Sequence, residues 1–472
     1  MALRSAIAET RDLPTLASAL ITESQIGSHD ESVSEWLTRI KARQSISVAR
    51  VSLRDLDQWK FQPRPLRLAH SSGKFFAIEG IRTTTDYGPV NCWDQPIINQ
   101  PEIGILGILT RVVQGVRYYL MQAKAEPGNI DGPQISPTLQ ATRSNYTKVH
   151  RGRLPKYLEY FTKERPARVL VDQLQSEQGS RFLGKRNRNV ILEVDDEIPV
   201  EEGFRWLTLG EIKQLLKRDN VVNMDARSVL SCIPFPVPDV RTPRPGLTSF
   251  GASLLDSAND QGQTAGSLSE IQNWLSRLRS TYKRRVAKHG LDELVDWMIT
   301  DHEISRRDGR YFSVIGARIE IGGREVDEWA QPLLYHAGKG LNGMVTQPIR
   351  GVLHFLIRAC FYPGNRDMFE LGSTVSRSDY RGQFSRSDAP PFLDLFRDPE
   401  SATLRFSSIQ SEEGGRFFRY QNQYNILELP PDTIKTVPEG FMWMTLGQIQ
   451  ELIPHGYFNI EARNLFACLH LS

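Results

Sequence analysis

Trp93-Asp94-Gln95-Pro96 recurs 236 residues later as Trp329-Ala330-Gln331-Pro332, and that echo decides the fold. The eight tryptophans fall into four such pairs: Trp36 with Trp274, Trp59 with Trp297, Trp93 with Trp329, and Trp206 with Trp443. Their offsets stay between 236 and 238. Pro127-Gly128-Asn129 likewise matches Pro363-Gly364-Asn365. Ser176-Glu177-Gln178-Gly179 matches Ser411-Glu412-Glu413-Gly414, with Arg181-Phe182 and Arg416-Phe417 just beyond. Thr208-Leu209-Gly210 matches Thr445-Leu446-Gly447, and Cys232 matches Cys468. So long a period marks a duplicated domain and not a solenoid.

Outward from these anchors, the predicted division is an N-terminal extension over 1–30, a first repeat over 31–233, a linker over 234–266 and a second repeat over 267–472. Pro234, Pro236, Pro238, Pro243 and Pro245 disfavour helix and sheet pairing, so the linker is read as extended. The extension is expected to be partly helical from Leu13 to Ile21. Each repeat opens on an amphipathic helix, with Val33, Trp36, Leu37 and Ile40 on one face, or Ile271, Trp274, Leu275 and Leu278. Short strands follow, such as Phe75 to Ile81 and Phe312 to Ile319. Strand runs over Gly104 to Ala125 and Gly340 to Phe361 are broken by hairpins at Gly115 and Gly351. Later strands are Arg188 to Val194 and Tyr424 to Leu429. Thr208 and Thr445 then cap a helix, with Glu211 and Gln448 as capping-box partners. The class is α+β: two tandem duplicated domains, each a mixed sheet flanked by helices.

The 472 residues suit two or three domains, and 40% hydrophobic content is ordinary for a globular chain. A net charge of +3 lacks the basic excess of a nucleic-acid binder. The basic cluster from Arg277 to Lys288 reads as a solvated helix face. No apolar run is long enough to span a membrane, and the start of the chain lacks the features of a signal peptide. Cys92, Cys232, Cys360 and Cys468 form no C-x-x-C pair, so neither a disulfide scaffold nor a zinc site is expected. The expected compartment is the cytoplasm.

Chemistry concentrates where the strand Tyr118 to Glu126 ends. Tyr119, Met121, Ala123 and Ala125 form its apolar face, while Gln122, Lys124 and Glu126 share the other. The second copy keeps the apolar face as Phe355, Ile357, Ala359 and Phe361, but its polar face is Arg358, Cys360 and Tyr362. After the Pro127-Gly128-Asn129 turn runs a segment dense in hydrogen-bonding side chains: Thr138, Gln140, Thr142, Arg143, Ser144, Asn145 and Tyr146, with His150 beyond. Loops of this kind carry binding sites. Arg143 suits a phosphate.

Trp93-x-Gln95-Pro96, the turn Ala125-Glu126-Pro127-Gly128-Asn129, and Ser136-Pro137-Thr138 through Tyr146 to His150 resemble the NDP-hexose 2,3-dehydratase family. The resemblance extends over nearly the whole chain. It implies a Nudix-like fold in each half, a homodimer, and a dTDP-linked 4-keto-6-deoxyhexose as substrate in deoxysugar biosynthesis for antibiotics. It also implies a nucleotide pocket in each half and a separate downstream 3-ketoreductase. The Arg-Glu-x-x-x-Glu-Glu helix of metal-dependent Nudix hydrolases is missing, since Asp131 and Glu159 are widely spaced, so no metal is expected. No Gly-x-Gly-x-x-Gly follows a strand, so no cofactor is expected either. Dehydration requires a base for the C3 proton, an acid for the C2 hydroxyl and a donor near the C4 oxygen. Glu126, Lys124, Tyr146 and His150 are the candidates. Candidate substrate contacts are Trp93, Gln95, Gln122, Thr138, Gln140, Thr142, Arg143, Ser144, Asn145 and Arg181, with Trp329, Gln331, Arg358, Arg377, Tyr380 and Arg416 in the second copy.

The second copy departs at telling positions: Tyr362 for Glu126, Cys360 for Lys124, and Gly372-Ser373 for Ser136-Pro137. A two-residue deletion in the following loop would pair Arg377 with Arg143 and Tyr380 with Tyr146, leaving His150 unmatched. One catalytic pocket is therefore expected in the first repeat, and a binding-only pocket in the second. The reverse assignment, with Tyr362, His336 and His354 doing chemistry, stays open. So do a non-catalytic nucleotide-sugar binder and a metal-dependent pyrophosphohydrolase.

Overall fold

The computed structural model describes residues 13–23, 31–142, 154–235, 246–259, 264–322, 327–377, 389–399 and 402–472. Each repeat builds a seven-stranded mixed sheet. In the first, Arg168–Ser176, Arg186–Glu193, Gly104–Val113, Val116–Lys124 and Phe204–Thr208 lie side by side, and only Arg186–Glu193 with Gly104–Val113 is parallel. Gln134–Ser136 and Leu139–Ala141 extend it at the ends of the two central strands. The second repeat copies this order from Thr403–Ser411 to Phe441–Thr445. Both central hairpins turn on two residues with positive φ, Gln114-Gly115 and Arg350-Gly351, the geometry a two-residue hairpin requires.

The two large sheets do not keep separate cores. Tyr119, Met121, Leu207 and Val229 of the first repeat share one buried cluster with Phe355, Ile357, Met444 and Leu465 of the second. Helices Met224–Leu230 and Ile460–Ala467 pack together at its centre. Trp36, Leu37 and Ile40 are buried in helix Val33–Arg43, and Ile271, Trp274, Leu275 and Leu278 in Leu268–Thr281, as their spacing predicts.

The smaller sheets are exchanged between repeats. Ile46–Val51 of the first repeat pairs antiparallel with Ser313–Ile321 of the second, from Ile46 opposite Ile321 to Val51 opposite Gly316. Arg284–His289 of the second repeat pairs in the same way with Ala77–Thr85 of the first. Glycine admits the crossing strand: a Cβ on Gly80 would sit 2.8 Å from the His289 carbonyl oxygen, and one on Gly316 2.7 Å from that of Val51.

Within the segment read as an extended linker, a helix covers Ser249–Ala258, capped by Thr248. The prolines end at Pro245, and the eleven residues from Thr248 carry none. This helix repeats the role of helix Leu13–Leu20 in the extension. Ser18 Oγ accepts from the Leu209 amide at 2.8 Å, and Ser257 Oγ from the Leu446 amide at 2.8 Å. The Thr-Leu-Gly echo has its cause here. Thr208 and Thr445 cap with complete capping boxes, the leucine amides meet these serines, and the glycines leave room for the incoming helix end. Among the described residues no helix is long and apolar enough to cross a membrane.

Candidate active site

A cleft of about 500 Å³ lies between the large sheet of the first repeat and the small sheet of the second. Lys124, Glu126, Gln140, Glu177, Lys185 and Asp225 enter it from the first repeat. Trp329, Gln331, Glu413 and Arg416 enter from the second. Trp59, His70, Phe75 and Phe76 make an aromatic end wall, and the Arg416 guanidinium sits 4.3 Å from the Phe76 ring centroid.

The Pro-Gly-Asn turn is what brings the second repeat in. The Gly128 amide donates to the Gly414 carbonyl at 2.7 Å, and the Arg419 amide to the Gly128 carbonyl at 2.9 Å. A Cβ on Gly128 would lie 1.6 Å from the Phe417 carbonyl oxygen, so only glycine fits this approach. The mirror junction joins the Gly364 amide to the Gly179 carbonyl at 2.7 Å. Each repeat's turn thus docks on the Ser-Glu-x-Gly loop of the other and delivers that loop's side chains across the boundary. Gln331 Nε2 steadies the loop by donating to the Gly415 carbonyl at 2.7 Å, while its Oε1 accepts from Trp329 Nε1 at 2.9 Å.

Three carboxylates converge: oxygens of Glu126, Asp225 and Glu413 lie within 4.8 Å of one another. Glu126 is buried, accepting from Gln140 Nε2 at 2.7 Å and Asn223 Nδ2 at 3.4 Å. Asp225 sits in the first turn of helix Met224–Leu230. Burial pushes the Glu413 carboxyl up to about 8, with Glu126 and Glu177 adding and Arg416 opposing. Burial also drives Asp225 well above the ordinary range, reinforced by Glu413 and Glu126. A carboxyl raised to about 8 keeps its proton at neutral pH. Lys124 Nζ reaches the Gln140 carbonyl at 3.2 Å, and burial pulls the Lys185 amine down. The sequence offered no metal-ligand cluster, because these ligands come from residues 126, 225 and 413. Among the described residues, that trio is the group placed to hold a cation.

The other sequence candidates divide. Lys124, Glu126, Gln140, Thr142, Trp329, Gln331 and Arg416 line the cleft. Gln122 does not; it sits mid-strand between Phe204 and Ser136. Thr138 is buried, and its hydroxyl accepts from the Leu109 amide at 2.9 Å and donates to the Leu120 carbonyl, which makes it a strand lock. Trp93 and Arg181 face the second repeat instead, and Gln95 bonds within the first. The Trp93 ring stands 6.1 Å from Phe361, Gln95 Nε2 donates to the Ser180 carbonyl, and Arg181 lies over Phe312 at 4.2 Å. Arg358 stands over Phe441 on the second repeat's sheet. Arg143, Ser144, Asn145, Tyr146, His150 and Tyr380 lie outside the described residues.

The expected pairing of Arg377 with Arg143 is corrected by the register. Arg377 stands opposite Leu341 just as Ala141 stands opposite Ile105, and Thr374 repeats the bonds of Thr138. Up to that strand there is no deletion. Asp225 and Glu413 were missed. Glu413 was visible as the one acidic departure from Gln178 inside an otherwise matching motif. Of the reverse assignment, His354 is fully buried, with Nε2 accepting from the Ala265 amide, and His336 turns to the backbone of Gly338. Burial raises Tyr362 well above the ordinary phenol range and pushes the Cys360 thiol up to about 12.

The model of the NDP-hexose 2,3-dehydratase family matches residues 30–233 and again 268–469. A dTDP-4-dehydro-6-deoxy-alpha-D-glucopyranose 2,3-dehydratase from Saccharopolyspora spinosa is 44% identical over 443 residues, covering 92% of this chain and 90% of its own. One of the same description from Amycolatopsis orientalis is 38% identical over 464 residues, covering 97% and 93%. A solved Nudix hydrolase from M. smegmatis aligns at 11% identity over 27% of this chain and 81% of its own, with a TM-score of 0.20. The α+β duplication rests on the chain's own sheets and not on that likeness.

Proposed function

The chain belongs to the NDP-hexose 2,3-dehydratase family, and we propose that it eliminates water across C2 and C3 of a dTDP-linked 4-keto-6-deoxyhexose in the cleft between its repeats. The single observation carrying this is the meeting of Glu126, Asp225 and Glu413 beside Lys124 in a cleft large enough for a sugar nucleotide. The C4 ketone acidifies the C3 proton, and Glu126, oriented by Gln140 and Asn223, is the base. Lys124 faces the C4 oxygen as the enolate forms. A protonated carboxyl of the cluster gives its proton to the C2 hydroxyl, which leaves as water. The enol tautomerises to a 3,4-diketo-2,6-dideoxy sugar for a separate ketoreductase. Arg416 and Lys185 are the cations placed for the diphosphate, and the aromatic end wall suits the base.

The second repeat keeps Trp93, Gln95 and Arg181 at its mirror position but has Tyr362 for Glu126 and Gln178 for Glu413. That favours a second nucleotide pocket without proton transfer. The repeats are assigned to 31–233 and 267–472, each preceded by its docking helix. All four cysteines are free, which suits a reducing cytoplasm. A homodimer completes the reading, checked by light scattering. The deciding experiment incubates the protein with dTDP-4-keto-6-deoxyglucose and follows loss of one water by mass. An unchanged mass rejects the lyase and leaves a nucleotide-sugar binder; release of sugar phosphate with magnesium would instead mark a pyrophosphohydrolase.

A further inference from the structure

The loop that begins at Ser176 and the loop that begins at Ser411 each send an acid into the cleft, Glu177 from the first repeat and Glu413 from the second. The residue after the first acid and the residue before the second do not line it. They join the loops to each other instead: Gln178 Nε2 donates to Glu412 Oε2. Both side chains are buried, at 5% and 1% exposure. Glu412 is moored to its own sheet, where Oε1 accepts from Asn422 Nδ2 and from the Tyr424 hydroxyl at 3.3 Å, both on the strand Gln421–Glu428. Gln178 is moored by its backbone. Its carbonyl accepts from the amides of Arg181 at 2.9 Å and Phe182 at 2.8 Å, which starts the turn leading to Phe182 and Lys185 in the cleft. The backbone bonds at Gly128 and Gly364 tie each loop to the other repeat's Pro-Gly-Asn turn. The Gln178–Glu412 bond ties loop to loop, one residue away from each acid.

We propose that Gln178 is a positioning residue for the dehydration: through Glu412 it fixes the spacing of the two loops and so keeps Glu413 beside Glu126 and Asp225. This rests on the dehydratase reading above. Oxygens of those three carboxylates lie within 4.8 Å of one another, although Glu126 and Asp225 come from one repeat and Glu413 from the other. Their spacing therefore depends on what holds the repeats' loops together, and a bond from an amide to a carboxylate is of the stronger, charge-assisted kind. The cations assigned to the diphosphate have moorings of their own. Arg416 Nη2 donates to Gln100 Oε1 at 3.3 Å, and Lys185 Nζ donates to the Glu102 carbonyl. Losing the Gln178 bond thus acts on the acid and spares the phosphate grip. The Glu413 loop would still keep its bond to Gly128, so its shift is a fraction of the roughly 1 Å that costs on the order of 10²-fold in rate, and about tenfold is expected.

Turnover, KM, dTDP affinity and thermal melting are measured for wild type, Gln178→Leu, Gln178→Asn and Glu412→Gln. Gln178→Leu keeps the bulk and removes the donor, while Glu412 retains Asn422 and Tyr424, so the variant should fold. At a temperature where melting shows it folded, its kcat should fall about tenfold, with KM and dTDP affinity within about threefold of wild type. Gln178→Asn keeps the amide but draws it back by one methylene. It should fall between the two, and it carries the test should Gln178→Leu not fold. Glu412→Gln still offers Gln178 an acceptor, and Asn422 Oδ1, which has no hydrogen-bond partner, can turn to meet the new amide. That variant should keep kcat within about threefold. A kcat within about twofold of wild type in the folded Gln178 variants overturns the proposal. Equal losses of kcat and dTDP affinity overturn it as well, because they mark a general structural role. Glu412→Gln as slow as Gln178→Leu does the same, by placing the effect on the charge of Glu412 and not on the bond. Wild type that releases no water defeats the dehydratase reading itself and this role with it, whereas variants of an active wild type judge Gln178 alone.

Discussion

Gly128→Ala tests whether the first repeat's turn holds the second repeat's loop in the cleft. The added Cβ would lie 1.6 Å from the Phe417 carbonyl oxygen and 2.9 Å from that of Gly414, both backbone atoms. To reach ordinary contact, the loop must retreat by roughly 1.5–2 Å. That retreat breaks or stretches the Gly128–Gly414 and Arg419–Gly128 hydrogen bonds. With about 1 kcal/mol for each bond and about 1–3 kcal/mol for overpacking, the cost is roughly 2–6 kcal/mol. Glu413 and Arg416 move with the loop, and a displacement of about 1 Å at a catalytic group costs on the order of 10²-fold in rate. Denaturant melts and dehydration assays on the variant should show both losses. Two controls fix the interpretation. Gly115→Ala, at a hairpin φ of +78° with nothing within 4 Å, should cost only about 1–2 kcal/mol and leave turnover intact. Gly364→Ala, with its Cβ 1.9 Å from the Phe182 carbonyl oxygen, should destabilise comparably, yet it displaces Gln178 and Arg181 and so reduces turnover less. Gly128→Ala with wild-type midpoint and wild-type rate refutes the docking account.

Arg227 is fully buried and donates to Asn464, Gln410 and the carbonyls of Val222 and Ser411, so Arg227→Met should destabilise by about 3–5 kcal/mol in a denaturant titration. A chain cut after Phe235 loses both exchanged strand pairings, and each half alone should show an unfolded circular-dichroism spectrum while the two co-expressed halves purify together. Arg416→Ala should weaken dTDP binding by about 1.5–3 kcal/mol by calorimetry. Arg181→Ala should instead affect only the binding event assigned to the second repeat.

Much of the fold was legible because duplication supplies an internal control. The tryptophan offsets, the hairpin glycines and the capping boxes at Thr208 and Thr445 were readable from one chain and fall where expected. The strand exchange was not readable. Ile46–Val51 and Arg284–His289 share only a Val-Ala followed by a basic residue, and nothing in either says whether it pairs with the equivalent strand of its own repeat or of the other. Everything that depends on the exchange was hidden for the same reason. Trp329 was expected to serve its own repeat, yet it lines the cleft of the other, and Glu413, which no reading of the sequence had singled out, joins it there. The helix Ser249–Ala258 was obscured by five prolines that end three residues before its cap. Glu126 and Lys124 were legible because strand alternation puts both on one face at its end.

The crossed delivery of side chains explains why the chemistry needs one continuous chain. Two identical repeats related by a twofold would present the same loop to each other, because an isologous interface places every residue twice. A glutamate at the Glu413 position would then also occupy the Gln178 position, and each loop would bring a second buried acid against the glutamate facing it. Both clefts would carry the burden of an unpaired carboxylate oxygen, and both would have to react or neither. Joining the repeats removes that constraint. Gln178 donates to Glu412 on one side, while on the other Glu413 stands in that donor's place and brings a third carboxylate to the cleft. The same freedom lets Tyr362 fill the place that Glu126 holds in the first repeat. Stability and reactivity make opposite demands on this pair of positions, and only a chain in which the two loops can differ meets both.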